Sequence, residues 1–264
     1  LTSQTLSGVI SGDTVSLSPG IVSTFASADV ARNTSGHVTS QTVSASGLSL
    51  SGADASNYAL TSSTATTSAT INPQSVTVAI TASDKTYDQT ATAAVTRTPS
   101  GIFSSDAADV TIGSTSNTFA SANVARDGSG AVTSQTVTSS GLSLTGTKAG
   151  NYALTNATAT TTATINPKSL TASVTASDKT YDKTNAAQIT GHTSADIIAG
   201  DAVTLSSTSA IFASANVARD GSGNVISQTV TASGLALAGA QADNYALSST
   251  TATTTATINP KTVS

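Results

Sequence analysis

Three passages of this chain are nearly one passage. "TFASADVARNTSGHVTSQTVSASGLSLSGADASNYAL" from Thr24, "TFASANVARDGSGAVTSQTVTSSGLSLTGTKAGNYAL" from Thr118 and "IFASANVARDGSGNVISQTVTASGLALAGAQADNYAL" from Ile211 align without a gap. Phe25, Phe119 and Phe212 are 94 and 93 residues apart, and Tyr58, Tyr152 and Tyr245 keep those intervals. So do Pro73, Pro167 and Pro260 in a recurring Ile-Asn-Pro. Solenoid coils repeat at roughly 20–50 residues. A period this long predicts a row of small domains, each with its own core. The units are expected at residues 1–74, 75–168 and 169–264. A second signature, "ASDKTYD", occurs only twice, at Tyr87 and Tyr181. The first copy lacks it, because Leu1 aligns near Ile189.

Composition points to strands. Ser and Thr exceed a third of the chain, charged residues are 9%, and every acidic residue is Asp. Threonine suits a half-exposed pleated strand, whereas strong helix formers other than Ala are scarce. No run of 18 apolar residues exists, so no membrane insertion is expected. A net charge of -4 gives no basic patch, which argues against nucleic acid. There is no Cys, which is compatible with an oxidising exterior. Leu1 is not a natural start and no targeting segment is visible, so the chain is expected to be a processed product or part of something longer.

Within a unit the pattern is a succession of short strands. Val76, Val78 and Ile80 alternate in "SVTVAITA", and Leu170, Ala172 and Val174 do so in "SLTASVTA". The "RDGSG" turns at Arg126–Gly130 and Arg219–Gly223 favour hairpins, because Asp-Gly tolerates positive φ. Tyr152 and Leu154 lie on even positions and Ile165 on an odd one, which predicts a bulge between them. Seven or so strands with frequent turns predict an all-β fold, with tandem Ig-like β-sandwich domains running head to tail as a rod. In such sandwiches a corner tyrosine buries its ring and bonds its hydroxyl to backbone a few residues upstream. Tyr58, Tyr152 and Tyr245 fit that role. With Tyr87, Tyr181, Phe25, Phe119 and Phe212 they form the expected structural keystones, because aromatics are only 3% of the chain. Pro73, Pro167 and Pro260 join the set as stiff links, since Pro fixes φ and extends the residue before it.

The ordered motifs "SDKTYDQT", "SDKTYDKT", "FASANVARDGSG", "SGLSLTG", "NYAL" and "INPKSLT" resemble the YDG/MBG-type repeats of large bacterial surface exoproteins. These include filamentous-haemagglutinin-like adhesins exported by two-partner secretion. The resemblance covers nearly the whole chain. It implies an extracellular or cell-surface location and a stalk or filament role. One departure is visible: Gln89 and Lys183 stand where the motif has Gly.

Catalysis is not expected. His37 aligns with Ala131 and Asn224, and His192 aligns near Gln4, so neither histidine recurs. With no Cys or Glu, no nucleophile–base set can be assembled. Calcium is a weak expectation, since "RDGSG", Asp13 and Asp201 each offer isolated carboxylates; turn capping is the plainer reading, and no cofactor is expected. The threonine tracts from Thr64, Thr158 and Thr251 read as exposed strand faces. Sequons at Asn33 and Asn156 do not recur in all copies. Lys85 and Lys179 precede Tyr-Asp pairs and read as exposed ion pairs, with an intramolecular amide the bolder alternative.

The expected function is therefore a structural repeat region of a secreted adhesin or extracellular matrix filament. The expected partners are neighbouring repeats of the chain or fibre. A carbohydrate-binding module contacting host or matrix glycans is the alternative. A free sheet edge in the first unit should be filled by strand addition from upstream chain or a neighbouring molecule.

Overall fold

Residues 5–264 are described by the computed structural model, and among them there is no α-helix. Alternation sets the strands. In Gln74–Ala82, Val76, Val78 and Ile80 point inward while the residues between them face solvent. Fully burying one such aliphatic side chain contributes about 1.5–3 kcal/mol. Leu170 and Val174 are likewise buried, although the chain breaks there into Lys168–Leu170 and Ser173–Ala176.

The third repeat shows the layout. Ser209–Phe212, Gln228–Ser233 and Thr251–Ala256 form an antiparallel sheet, with Phe212 opposite Val230 and Val230 opposite Thr254. Thr204–Ser206 pairs with Ala236–Ala238, and Ser173–Ala176 pairs with Ile189–Thr193, both antiparallel. Two pairs are parallel: Lys168–Leu170 with Tyr245–Leu247, and Lys179–Thr180 with Ile258–Asn259. The second repeat reproduces both parallel pairs. The architecture is therefore β-rich with many small sheets, mixing parallel and antiparallel pairs.

The parity break after the Asn-Tyr motif has a different cause from the expected bulge. Tyr245–Leu247, Thr251–Ala256 and Ile258–Asn259 belong to three separate sheets. The chain changes partner at each step, so inward parity resets without an extra residue in those three ladders.

One glycine position is indispensable in all three copies. Gly52, Gly146 and Gly239 have φ of +119°, +114° and +117°. A Cβ there would lie 2.2, 2.1 and 2.2 Å from the carbonyl oxygens of Thr14, Asp109 and Ala202. Only glycine gives both the left-handed backbone and that close approach. Each glycine leads into the 3-10 turn that carries the Asn-Tyr motif.

Compactness does not follow the sequence period. One compact unit comprises residues up to Ala79 with Thr98–Ser114 and Gly141–Ala157; the other comprises Ile80–Arg97, Thr115–Ser140 and Thr158–Ser264. In the second unit, Tyr87, Phe119, Val137 and Ile165 share a buried cluster with Leu170 and Tyr245 of the following repeat. This cluster thus crosses the repeat boundary, whereas Phe212, Val230, Ala256 and Ile258 of the third repeat form a cluster of their own. In the first unit, Phe25 is 39% exposed, whereas Phe119 and Phe212 are buried. Tyr87 and Ala93 pack in the cluster around Phe119, a cover that Phe25 does not have among the described residues. Val174 sits among Ala232, Leu235 and Leu247; the matching Ala45, Leu48 and Leu60 line an open groove of about 350 Å³.

Candidate functional site at the repeat junction

Each corner tyrosine makes the same pair of bonds. Tyr58, Tyr152 and Tyr245 donate their hydroxyl protons to Asp13, Asp106 and Asp201 at 2.5, 2.8 and 2.5 Å. They accept from the backbone N–H groups of Ile10, Phe103 and Ile198 at 3.0, 3.2 and 3.0 Å. The partners lie 44 to 49 residues upstream in sequence, not the few residues of an Ig corner. Tyr152 and Tyr245 are buried; Tyr58 is half-buried. The aspartates were not legible as tyrosine partners, because the Asp-to-Tyr spacing is 45, 46 and 44 residues and insertions blur their alignment.

The residue before each tyrosine reaches the preceding repeat. Asn151 and Asn244 end the 3-10 turns Ala149–Asn151 and Ala242–Asn244. Asn151 Oδ1 accepts from Val30 N at 2.8 Å, and Asn244 Oδ1 accepts from Val124 N at 2.8 Å. Arg32 Nε donates to Gly150 O at 3.0 Å; Arg126 Nε and Nη2 donate to Asp243 O at 3.1 and 2.8 Å. Both arginines are held in place by a bond from Nη1 to Gly36 O or Gly130 O in their own hairpin turns. The recurring "VAR" and "NY" motifs are thus the two halves of one clamp.

Side chains around the clamp vary in matched pairs. At the first junction Asp29 accepts from Asn151 Nδ2 at 2.6 Å and pairs with Lys148 at 2.9 Å. Hydrogen bonds from Lys148 and then Asn151 lower the Asp29 pKa, and the bond to Asp29 raises that of Lys148. At the second junction Asn123 replaces Asp29 and Gln241 replaces Lys148. Asn244 Nδ2 donates to Asn123 Oδ1 at 3.0 Å, and Asn244 is buried. A buried amide with both ends satisfied specifies a single arrangement.

The second junction adds aromatic packing. Tyr87 meets Tyr245 edge to face, with ring centroids 5.5 Å apart. Asp201 accepts from both hydroxyls and from Gln89 Nε2 at 2.9 Å. Burial and then the bond to Asp201 raise the Tyr245 pKa to about 12, and the same causes raise that of Tyr87. Burial pushes Asp201 upward, but the bonds from Tyr245, Gln89 and Tyr87 outweigh it and leave its pKa lowered. The neutral phenols and the carboxylate are therefore the forms the fold favours. The tyrosine contribution is complete below the ordinary phenol value of 10.0 and is lost as pH rises toward about 12. The Asp201 contribution is present above 3.8 and is lost as pH falls through its lowered value. Thermal melts against pH should show a flat neutral region with an alkaline decline, and Tyr245→Phe should shrink that decline.

"SDKTYD" is a closing strip. Asp84 and Asp178 accept from Thr164 N and Thr257 N at 2.7 and 2.6 Å. Lys85 and Lys179 form ion pairs with Asp88 and Asp182 at 2.6 and 2.8 Å, and donate to the carbonyls of Thr90 and Thr184. The Lys179 bond, with the Thr184 backbone and hydroxyl, takes Asp182 down to about 2. Tyr87 N and Tyr181 N donate to Asn166 O and Asn259 O, both at 2.9 Å, which fixes the residue before Pro167 and Pro260. Pro73 and Pro167 are half-buried and Pro260 is exposed. Gln89 and Lys183, where the motif has Gly, keep the left-handed turn with φ of +67° and +68°. Lys183→Gly should therefore stabilise the chain by up to about 1 kcal/mol in denaturant melts. Gln89→Gly should gain less, because Gln89 Nε2 also bonds Ala199 O at 3.1 Å and Asp201.

The remaining candidates serve their own loops. Asp127 and Asp220 accept from backbone N–H groups within "RDGSG", and Asn33 does the same in the first copy. Asn156 bonds both polar groups of Val78. His192 meets Ser207 Oγ at 2.9 Å and His37 is exposed. Among the described residues no group of three or more His, Cys, Asp or Glu could hold a metal.

The profile of the YDG domain matches residues 1–67, 72–162 and 166–255. No curated protein sequence and no solved structure matches the chain.

Proposed function

The chain belongs to the YDG domain family, with three copies in tandem, and on that premise we propose that it is the stalk or fibre region of a secreted bacterial adhesin or extracellular matrix filament. One observation carries this reading: the Asn-to-backbone and Arg-to-carbonyl clamp recurs at both repeat boundaries. A clamp that joins each repeat to the next transmits load along a chain, and nothing in it calls for a substrate. In this reading the strands of each repeat stack as an Ig-like sandwich with added parallel pairs, and the protein works at the cell surface or beyond it. Its role is to project or link rather than to turn over a substrate.

Two measurements test this. Protease shaving of intact cells should release fragments of the chain; protection until lysis would contradict the location. The isolated chain on a glycan array should retain no sugar class. Reproducible binding to one class would move recognition into the repeats themselves.

A further inference from the structure

The second and third repeats are close to interchangeable over most of their three-stranded sheets. Thr158–Ala163 and Thr251–Ala256 have the same sequence. Gln135–Ser140 differs from Gln228–Ser233 only at Ser139, where the third repeat has Ala232. The register is also shared: Ser139 lies opposite Ala159 as Ala232 lies opposite Ala252. Tandem repeats this alike are prone to exchange strands while they fold. A single folded structure then depends on contacts that differ between the copies.

Those differences converge on one strand. Val95–Ser100 of the second repeat and Ile189–Thr193 of the third occupy matching positions. Arg97 Nη2 donates to Asn117 Oδ1 at 3.2 Å, and Asn117 lies opposite Ser139 in the three-stranded sheet. The third repeat has Gly191 and Ala210 at these two places. There Ala210 packs against Val174, Ala232 and Leu235 instead. The third repeat ties the same strand down by other means: His192 Nε2 and Ser207 Oγ are 2.9 Å apart. Thr98 stands at the His192 position in the second repeat.

We propose that these two side-chain pairs are recognition keys: Arg97 with Asn117, and His192 with Ser207, direct each strand to its own repeat as the chain folds. Docked on the third repeat's sheet, Val95–Ser100 would bring Arg97 to Ala210, whose side chain offers no acceptor. It would also bring Thr98 to Ser207 in place of the imidazole. Docked on the second repeat's sheet, Ile189–Thr193 would bring Gly191 to Asn117 and withdraw the Arg97 donor. Gly191 suits its own neighbours as well, because a Cβ there would lie 2.9 Å from Thr175 Oγ1, which is 3.0 Å from Thr190 Oγ1. An exchanged chain therefore loses contacts in both repeats and gains none, so the wrong pairing is disfavoured by what it leaves unmatched.

The chain has no Cys, so an engineered pair of cysteines reports strand pairing without interference. Thr92 bridges Thr118 in the second repeat, and Ala186 bridges Ile211 in the third. Thr92→Cys with Ile211→Cys takes one residue from each bridge. Both positions are exposed, and their disulfide marks a second-repeat strand docked on the third repeat's sheet. Thr92→Cys with Thr118→Cys is the control for native pairing. Each chain is refolded from denaturant at low concentration and oxidised, and cross-linked monomer is measured by intact mass.

The crossed disulfide should be rare in the otherwise unaltered chain. Exchanging the strand residues alone, Arg97→Gly with Gly191→Arg, should raise it about fivefold or more, the factor expected from one lost hydrogen bond. Adding Asn117→Ala and Ala210→Asn matches each strand to its sheet again and should return the yield to its starting level. A general loss of stability would not reverse in this way. His192→Thr alone should raise the yield about twofold, and it decides the matter if the exchanged chain does not fold. A crossed disulfide equally frequent in all these chains would overturn the proposal. So would a rise that the matched sheet residues do not reverse.

Discussion

Tyr245→Ala is expected to destabilise the chain by about 3–5 kcal/mol, the range for removing a buried aromatic side chain. The ring lies in a cluster that includes residues of two repeats, so its removal opens a cavity in the junction as well as in its own repeat. The hydroxyl has a separate share. Tyr245→Phe keeps the ring but leaves Ile198 N without its acceptor and Asp201 with two of its three donors, at about 1–2 kcal/mol. Combining Tyr245→Ala with Tyr87→Ala should cost less than the sum of the two, with a coupling of about 0.5–1.5 kcal/mol from the edge-to-face pair. Tyr58→Ala should cost roughly 1–2 kcal/mol, because that ring is only half-buried. Denaturant titration of the five variants, Tyr87→Ala alone included, checks the order.

The second large effect is at Asn244. Asn244→Ala removes the acceptor for Val124 N and the donor to Asn123, leaving a buried N–H unpaired at about 1–3 kcal/mol. Asn244→Asp keeps the acceptor, and Asn123 can turn its amide to donate, so that variant should lose about half as much. Asn57→Ala, the same change in the first repeat, should be close to neutral in dilute protein.

Much of this was legible in the sequence, for physical reasons. The 94-residue period and the alternation in Gln74–Ala82 were readable because a strand with one buried face writes its pleat into its residues. Recurrence of Tyr58, Tyr152 and Tyr245 marked a packed position, since few other aromatics are available to fill a core. The aspartate partners were hidden by variable spacing, and the clamp was hidden by its chemistry. Asn244 binds the backbone N–H of Val124, and a backbone group leaves no residue signature at its own position. Gln89 and Lys183 depart from the Gly of the motif, yet both keep the positive φ of that turn. Phe25 read as a keystone from its alignment with Phe119, but alignment at that position does not show the cover that Tyr87 and Ala93 give Phe119 and that Phe25 lacks among the described residues.

Amide hydrogen exchange at three aligned positions tests the clamp most directly. Val30 N–H and Val124 N–H bond Asn151 and Asn244, whereas Val217 N–H has no acceptor among the described residues. In dilute protein the first two should exchange as slowly as amides paired within the neighbouring sheets, and Val217 should exchange orders of magnitude faster. Equal, rapid exchange at all three valines would mean that the repeats do not grip one another, and the account would fail.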